Sequence, residues 1–397
     1  MISDSCHRHP LMKLIALALA VFTLLIPLQG SGDMLLCHGA MSSTVHYVTT
    51  RELAFPSGTQ KVVAEIPASF NATLFSYSEK VTSFSVSYSK RPDTVVSSGG
   101  GLRATWINPP RTVSYTIDAT TMIDVRANGL NSEAQLPLRQ AADANLSRYV
   151  APSKYVQSED RDIRSTARAL INNTRYESAA VASIMLWVNS NVQYDINATS
   201  HDAAWTLHNK RGTCENYAHL SLALLRSAGI PARYVNGYLT GGEVTTSSPW
   251  SSYGYQWDGG PHSWIEVYYP DLGWVPYEPQ KTMGFVDSHH VRESAGLDVS
   301  ELPNRLIYTY AAGDAMPAAV RDSSDVTLTH EASSLQIVHT SAASSQRVIS
   351  QEMAHGGAVN EKINSINYEK LTEPAVPIAI VVALTGIALV YAYRRRR

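Results

Sequence analysis

Hydrophobic positions change their period along this chain. Between Val45 and about Val125 they alternate. Phe84, Val86 and Tyr88 interleave with serines, and Leu102, Ala104 and Trp106, then Val113, Tyr115 and Ile117, repeat the pattern. A period of two with polar partners predicts antiparallel strands with one wet face, and the Gly99-Gly100-Gly101 and Pro109-Pro110 breaks separate them. A small sandwich is expected over 41–127. After a polar connector the spacing lengthens to three and four. Ile163, Ala167, Leu170 and Ile171 share one helical face, with Ser158 as the candidate cap. Val181, Ile184, Met185 and Val188 mark a second helix, and Tyr217, Leu220, Leu224 and Ala228 a third, stopped by Gly229 and Pro231. Strand-forming sequence then returns. Ala232 to Leu239 predicts a strand, His262 opens another, and Pro270-Asp-Leu-Gly273 is a turn that leads into a partner strand from Trp274 to Tyr277. The fold class expected is α+β.

Both ends carry long apolar runs. Arg8 and Lys13 precede a continuous apolar stretch from Leu14 to Leu28, followed by small residues, the pattern of a secretory signal; an uncleaved N-terminal anchor is the alternative. Pro374 to Tyr393 is long enough to span a bilayer core, and Arg394 to Arg397 would hold its end in the cytoplasm. The expectation is a single-pass cell-membrane protein with its bulk extracytoplasmic. The serine-rich stretch over 304–373 predicts a partly ordered stalk, with possible strands at Val326 to Thr329 and Leu335 to His339.

Composition narrows the function classes. The net charge of −2 offers no footprint for nucleic acid. Three cysteines make no disulfide framework: Cys6 leaves with the leader, Cys37 falls in a polar segment, and Cys214 is left as the thiol of the folded core. His208, His219, His289 and His290 form no ligand spacing with Cys214, and no EF-hand or His-Glu-x-x-His pattern occurs, so neither metal nor cofactor is expected.

Cys214 lies in the first turn of the third helix, where unpaired N–H groups and the positive end of the dipole favour a thiolate. His262 begins a strand, and Glu278 follows that strand's partner. A thiol, an imidazole and a carboxylate are the three parts of a thiolate acyl-transfer site: nucleophile, general base and orienter of the base. Between the two strands, Thr240 to Gly260 reads as a long loop rich in aromatics. Trp250, Tyr253 and Trp257 in it are candidates for a wall of the substrate groove.

Gly-Thr-Cys-Glu-Asn-Tyr-Ala at 212–218, Ala-Gly-Ile-Pro-Ala-Arg-Tyr-Val-Asn-Gly-Tyr at 228–238, His-Ser-Trp-Ile-Glu-Val-Tyr at 262–268 and Gly-Trp-Val-Pro-Tyr-Glu-Pro at 273–279 resemble the microbial members of the transglutaminase-like superfamily. The resemblance covers roughly Tyr155 to Pro303. It implies a papain-like core with Cys214, His262 and Glu278 as the catalytic set, and a protein or peptide substrate. The family usually has Asp where Glu278 stands, which leaves the hydrogen-bond geometry to His262 to be tested. In papain-like folds a residue upstream of the cysteine often helps form the oxyanion hole, which makes Trp205 a candidate beside a core-packing role.

The domain order expected is a secretory signal or N-terminal anchor over 1–32, a β-sandwich-like domain over 41–127 and a connector over 128–154. A transglutaminase-like catalytic domain over 155–303, the stalk, a transmembrane helix over 374–393 and a cytoplasmic arginine tail over 394–397 follow. The function expected is a membrane-anchored acyltransferase or a peptidase/amidase acting through a thioester on Cys214. A surface binding or adhesion protein that keeps the fold without turnover is the alternative of another class. Neither the acceptor, amine or water, nor the oligomeric state is written in the sequence.

Overall fold

The computed structural model describes residues 34–340 apart from 68–70, 99–100, 128–129, 131, 139–143, 173, 248–251, 281–285, 303–305, 311–318 and 335. Seven strands come first: β1 (Met34–Ala54), β2 (Thr59–Pro67), β3 (Ala72–Thr73), β4 (Tyr77–Tyr88), β5 (Thr94–Ser98), β6 (Gly101–Ile107) and β7 (Thr112–Ala127). The alternating runs of the sequence are β4, β6 and β7. In β7 the inward set of Val113, Tyr115 and Ile117 is buried, as a sheet with one wet face requires.

Helices follow: α1 (Arg161–Leu170), α2 (Glu177–Asn191), α3 (Ala203–Asn209) and α4 (Cys214–Ser227). The cap of α1 is Asp160, not Ser158; its carboxylate accepts from the N–H groups of Asp162 and Ile163, and a charged acceptor at that position also complements the helix dipole. Two short strands, β8 (Gln193–Tyr194) and β9 (Arg211–Gly212), pair in parallel on either side of α3. Then come β10 (Ala232–Leu239), β11 (Gly242–Ser247), β12 (Ser252–Trp257), β13 (Gly260–Tyr269), β14 (Gly273–Tyr277) and β15 (His290–Gly296). The expected aromatic loop is therefore a hairpin, β11 with β12. Its strand signal was present in the alternation of Tyr253, Tyr255 and Trp257, but the glycine- and serine-rich composition masked it.

The last three strands are β16 (Leu306–Tyr310), β17 (Ala319–Ser333) and β18 (Gln336–Thr340). They fall in the stretch expected to be a stalk, and they return to the N-terminal sheets. β17 pairs with β1 from Met41 to Ala54, β18 pairs with the start of β1, and β16 pairs with β2. Cys37, expected in a polar segment, is a β1 residue paired with Ile337 of β18. The possible strands at Val326 to Thr329 and Leu335 to His339 correspond to β17 and β18, and it is their long-range pairing with β1 that makes this stretch part of the N-terminal sheets. The expected leader, the expected membrane helix at 374–393 and the arginine tail lie outside the described residues. Among those described, no helix is long and apolar enough to cross a membrane.

Besides the two-stranded pairs β8-β9 and β11-β12, three larger sheets result among the described residues. One runs β17-β1-β7-β4-β3, a second β16-β2-β6-β5, and the third β14-β13-β10-β15. Side chains of the first two sheets, among them Tyr47, Val62, Trp106 and Ile117, share one apolar core. The third sheet is covered on both faces. Tyr234, Ile265 and Val267 face the helical core with α2 and α4. Their neighbours Val235, Trp264 and Val291 join the core of the N-terminal sheets. Burial on both faces is why β10 and β13 are buried at nearly every position and not at every second one.

Polar contacts tie the N-terminal sheets to β15. Glu79 is buried and accepts the Arg292 N–H at 2.8 Å. The Tyr77 hydroxyl stands 2.7 Å from the His290 carbonyl oxygen and 2.5 Å from Glu79 Oε2. It has one proton and the carbonyl can only accept, so a protonated Glu79 completes the set. Burial pushes that carboxyl up to about 8, which matches this arrangement.

Candidate active site

The turn before α4 is built around Asn216. The Thr213 N–H donates to Asn216 Oδ1 at 3.0 Å, and the Asn216 amide donates to the Ser200 carbonyl at 2.8 Å and to Thr206 Oγ1 at 2.7 Å. A buried side chain with these partners pins the first turn of the helix to the loop ahead of α3 and to α3 itself. Gly212 is required here, because a Cβ would stand 2.3 Å from the Asn216 side chain. Cys214 is the first residue of the helix and is a partly exposed free thiol.

His262 lies on β13 opposite Gly237 of β10. A Cβ on Gly237 would come within 1.9 Å of the Val291 carbonyl oxygen and 2.8 Å of the Trp264 ring, so glycine lets β15 approach where β15 itself carries a bulge at Glu293. Trp264 stacks along His262 at 6.1 Å between ring centroids. The β13–β14 pairing, Ile265 with Tyr277, brings the next residue, Glu278, beside the imidazole. His262 Nε2 is 2.7 Å from Glu278 Oε2, and both side chains are buried. A carboxylate only accepts, so Nε2 carries the proton, and the remaining nitrogen, Nδ1, serves the hydrogen bond to Cys214.

Burial works against charge on His262, but Glu278 and the Cys214 hydrogen bond outweigh it and raise its pKa to about 10. Burial likewise opposes charge on Glu278, yet His262 and then His290 hold it at about 2. The Gln280 N–H adds a third donor to Glu278, at 2.6 Å. The arrangement sets an imidazole oriented by a fixed carboxylate against a thiol, the three groups of a thiol acyl-transfer centre.

The three residues expected to form the catalytic set are thus brought together. Glu266, the other carboxylate on the histidine strand, is saturated by Arg233 at 2.5 Å and Arg292 at 2.7 Å and takes no part. Trp257 does not line a groove. It is buried, its indole N–H donates to Asp287 Oδ2 at 2.7 Å, and its ring backs His262. Tyr253 lies on β12, and Trp250 lies outside the described residues. Trp205, on α3, is half-buried with the Arg211 guanidinium 5.9 Å from its ring centroid.

Sequence reasoning missed two features. Tyr194 pairs with Gly212 through the β8–β9 bridge and lies within electrostatic reach of Cys214. It is 51% exposed, which leaves an aromatic surface near the thiol, and Ile196, two residues further along, is 73% exposed. A two-residue parallel bridge has no period to detect. The other is His290, which reaches Glu278 from behind. His262, Glu278 and His290 each offer one ligand atom within 4.8 Å of the others, a candidate metal set among the described residues. A tetrahedral zinc with ligands at about 2.0 Å keeps them about 3.3 Å apart. The 2.7 Å between His262 and Glu278 is instead a hydrogen-bond length.

Residues 164–279 match the family model described as the transglutaminase-like superfamily. The Bacillus subtilis (strain 168) protein YebA is 38% identical over 91 residues, 23% of this chain and 12% of that protein. A protein-glutamine gamma-glutamyltransferase of Pseudomonas aeruginosa is 39% identical over 70 residues, 18% of this chain and 10% of that protein. The matches thus span only a small part of these two relatives. A crystal structure titled as a proposed cysteine protease from Cytophaga hutchinsonii aligns with a TM-score of 0.49 at 18% identity, over 78% of this chain and 93% of that one.

Proposed function

From the premise that this chain belongs, through residues 164–279, to the transglutaminase-like superfamily, we propose that it is a cysteine acyltransferase or peptidase working through a thioester on Cys214. The observation that carries the reading is the 2.7 Å bond from His262 Nε2 to Glu278, which leaves the other imidazole nitrogen to Cys214. The thiolate attacks the carbonyl of a glutamine side chain or a peptide bond. First-turn N–H groups of α4 face the oxygen that becomes negative. His262 gives its proton to the departing amine, the thioester forms, and an amine or water then attacks it while His262 takes the proton back. Tyr194 and Ile196 supply an apolar flank for the acyl donor. A surface binder without turnover would have no use for a buried imidazole–carboxylate pair set against a free thiol, because buried ionisable groups destabilise a fold unless a task retains them.

The test is the intact mass of the full chain after exposure to glutamine-containing peptides, with and without a labelled primary amine. An acyl adduct on Cys214, absent in Cys214→Ala, is the expected result, and transfer to the amine separates cross-linking from hydrolysis. A reactive Cys214 that never carries an acyl group over a broad peptide set would overturn the reading.

The apolar runs at both ends support an extracytoplasmic, membrane-anchored placement. Protease added to intact cells is expected to digest the catalytic domain. Complete protection would place it inside.

A further inference from the structure

Behind Glu278 stands a second imidazole–carboxylate pair. His290 Nε2 is 3.3 Å from Glu278 Oε2, the same oxygen that His262 meets, and His290 Nδ1 is 2.7 Å from Asp287 Oδ1. Asp287 is itself fixed by the His289 N–H at 3.0 Å and the Trp257 indole at 2.7 Å. Trp257 and Trp264 stand edge-on to the His290 ring, each at 5.1 Å between centroids, and the His262 ring is at 5.5 Å. Tyr77 of the N-terminal sheets meets the His290 carbonyl. All of this is buried.

We propose that His290 is a positioning residue for the acyl-transfer site, a charged imidazolium held by Asp287 that locks the Glu278 carboxylate and balances part of its charge. The proposal rests on the functional reading above. Both ring nitrogens of His290 face carboxylate oxygens, and a carboxylate accepts only, so both nitrogens must be donors and the ring is positively charged. Burial opposes that charge, but Asp287 and Glu278 outweigh it and raise the pKa of His290.

The need for such a lock follows from the side chain in the third position. Glutamate has one more rotatable bond than aspartate, so a free Glu278 would lose more rotamer entropy on orienting His262. Donors from His262, His290 and Gln280 remove that freedom before substrate arrives. The charge has a second effect. With His290 positive, the charge on His262 is opposed, so His262 gives up its Nδ1 proton to the leaving amine more readily, while the Nε2 proton stays in its bond to Glu278. The groups around the ring are the two carboxylates, His262 and two indole edges, and the Tyr77 hydroxyl meets the His290 backbone carbonyl. No further charged side chain among the described residues bonds to the His290 ring, so its removal changes the local charge by one.

Full-length wild type, His290→Gln and His290→Ala are compared by the rate of Cys214 alkylation with iodoacetamide against pH, with thermal unfolding as the folding control. Glutamine can still donate to Glu278 but carries no charge. The expected result for His290→Gln is an acid limb moved to higher pH and kcat lowered on the order of tenfold at unchanged KM. His290→Ala should lose more of both. Profiles that superimpose on the wild type would reduce His290 to a packing role and overturn the inference. If the wild type itself alkylates only as an ordinary thiol, above about pH 8, the catalytic reading of Cys214 fails instead, and the two failures are distinct. Should neither variant fold, the wild type decides by nitrogen-15 NMR of labelled histidine: both His290 ring nitrogens are expected to carry protons at pH 7, and one bare nitrogen would overturn the proposal.

Discussion

Glu278→Ala is expected to lower turnover on the order of 100-fold, and Cys214→Ala to abolish it. Removing the orienting carboxylate of a serine triad costs about 10⁴ in rate, because the imidazole then adopts the wrong tautomer. A thiol is intrinsically more nucleophilic than a hydroxyl and depends less on its base, so the loss here is smaller. Glu278→Asp is the sharper comparison. Shortening the arm by one C–C bond, about 1.5 Å, draws the carboxylate away from three donors set at 2.7, 3.3 and 2.6 Å. The variant restores the residue usual in the family and is nevertheless expected to be impaired. Steady-state kinetics and Cys214 alkylation across pH check both statements; full activity in Glu278→Asp would show that the longer arm is not part of the design.

The second large effect concerns stability. Glu266 is fully buried between Arg233 on β10 and Arg292 on β15, so it bridges three strands of the catalytic sheet. Burial would raise its pKa, but Arg292 and then Arg233 hold it below the usual carboxylate range. Glu266→Ala strands two guanidinium groups that are 17% and 14% exposed. Removing one partner of a buried pair costs about 3–5 kcal/mol. Urea unfolding should register a loss of this size, with a milder one for Glu266→Gln, which keeps an acceptor. A loss under about 1 kcal/mol would mean that the arginines reach water on their own.

Sequence by itself determined the chemistry and the local elements that present it. Cys214 at a helix start, His262 at a strand start and Glu278 after a turn are all short-range facts, set by caps, periods and turn residues within a few positions. The alternation from Val113 to Ile117 and the helical face of Ile163 and Ala167 were legible for the same reason. The tertiary structure alone decided what surrounds them. Strands β16 to β18 pair with β1 and β2 across more than two hundred residues, and while two of them showed as possible strands, nothing local names their partners. Trp257 looks like a groove residue in a polar aromatic stretch, and only packing reveals that it backs His262 and holds Asp287. His290 gave no ligand spacing with Cys214, because its partner is Glu278, twelve residues earlier and brought close by strand pairing. Sequence patterns report which face of an element is apolar. Which polar group ends up against which is set by the register of distant strands, and that register is a property of the assembled core.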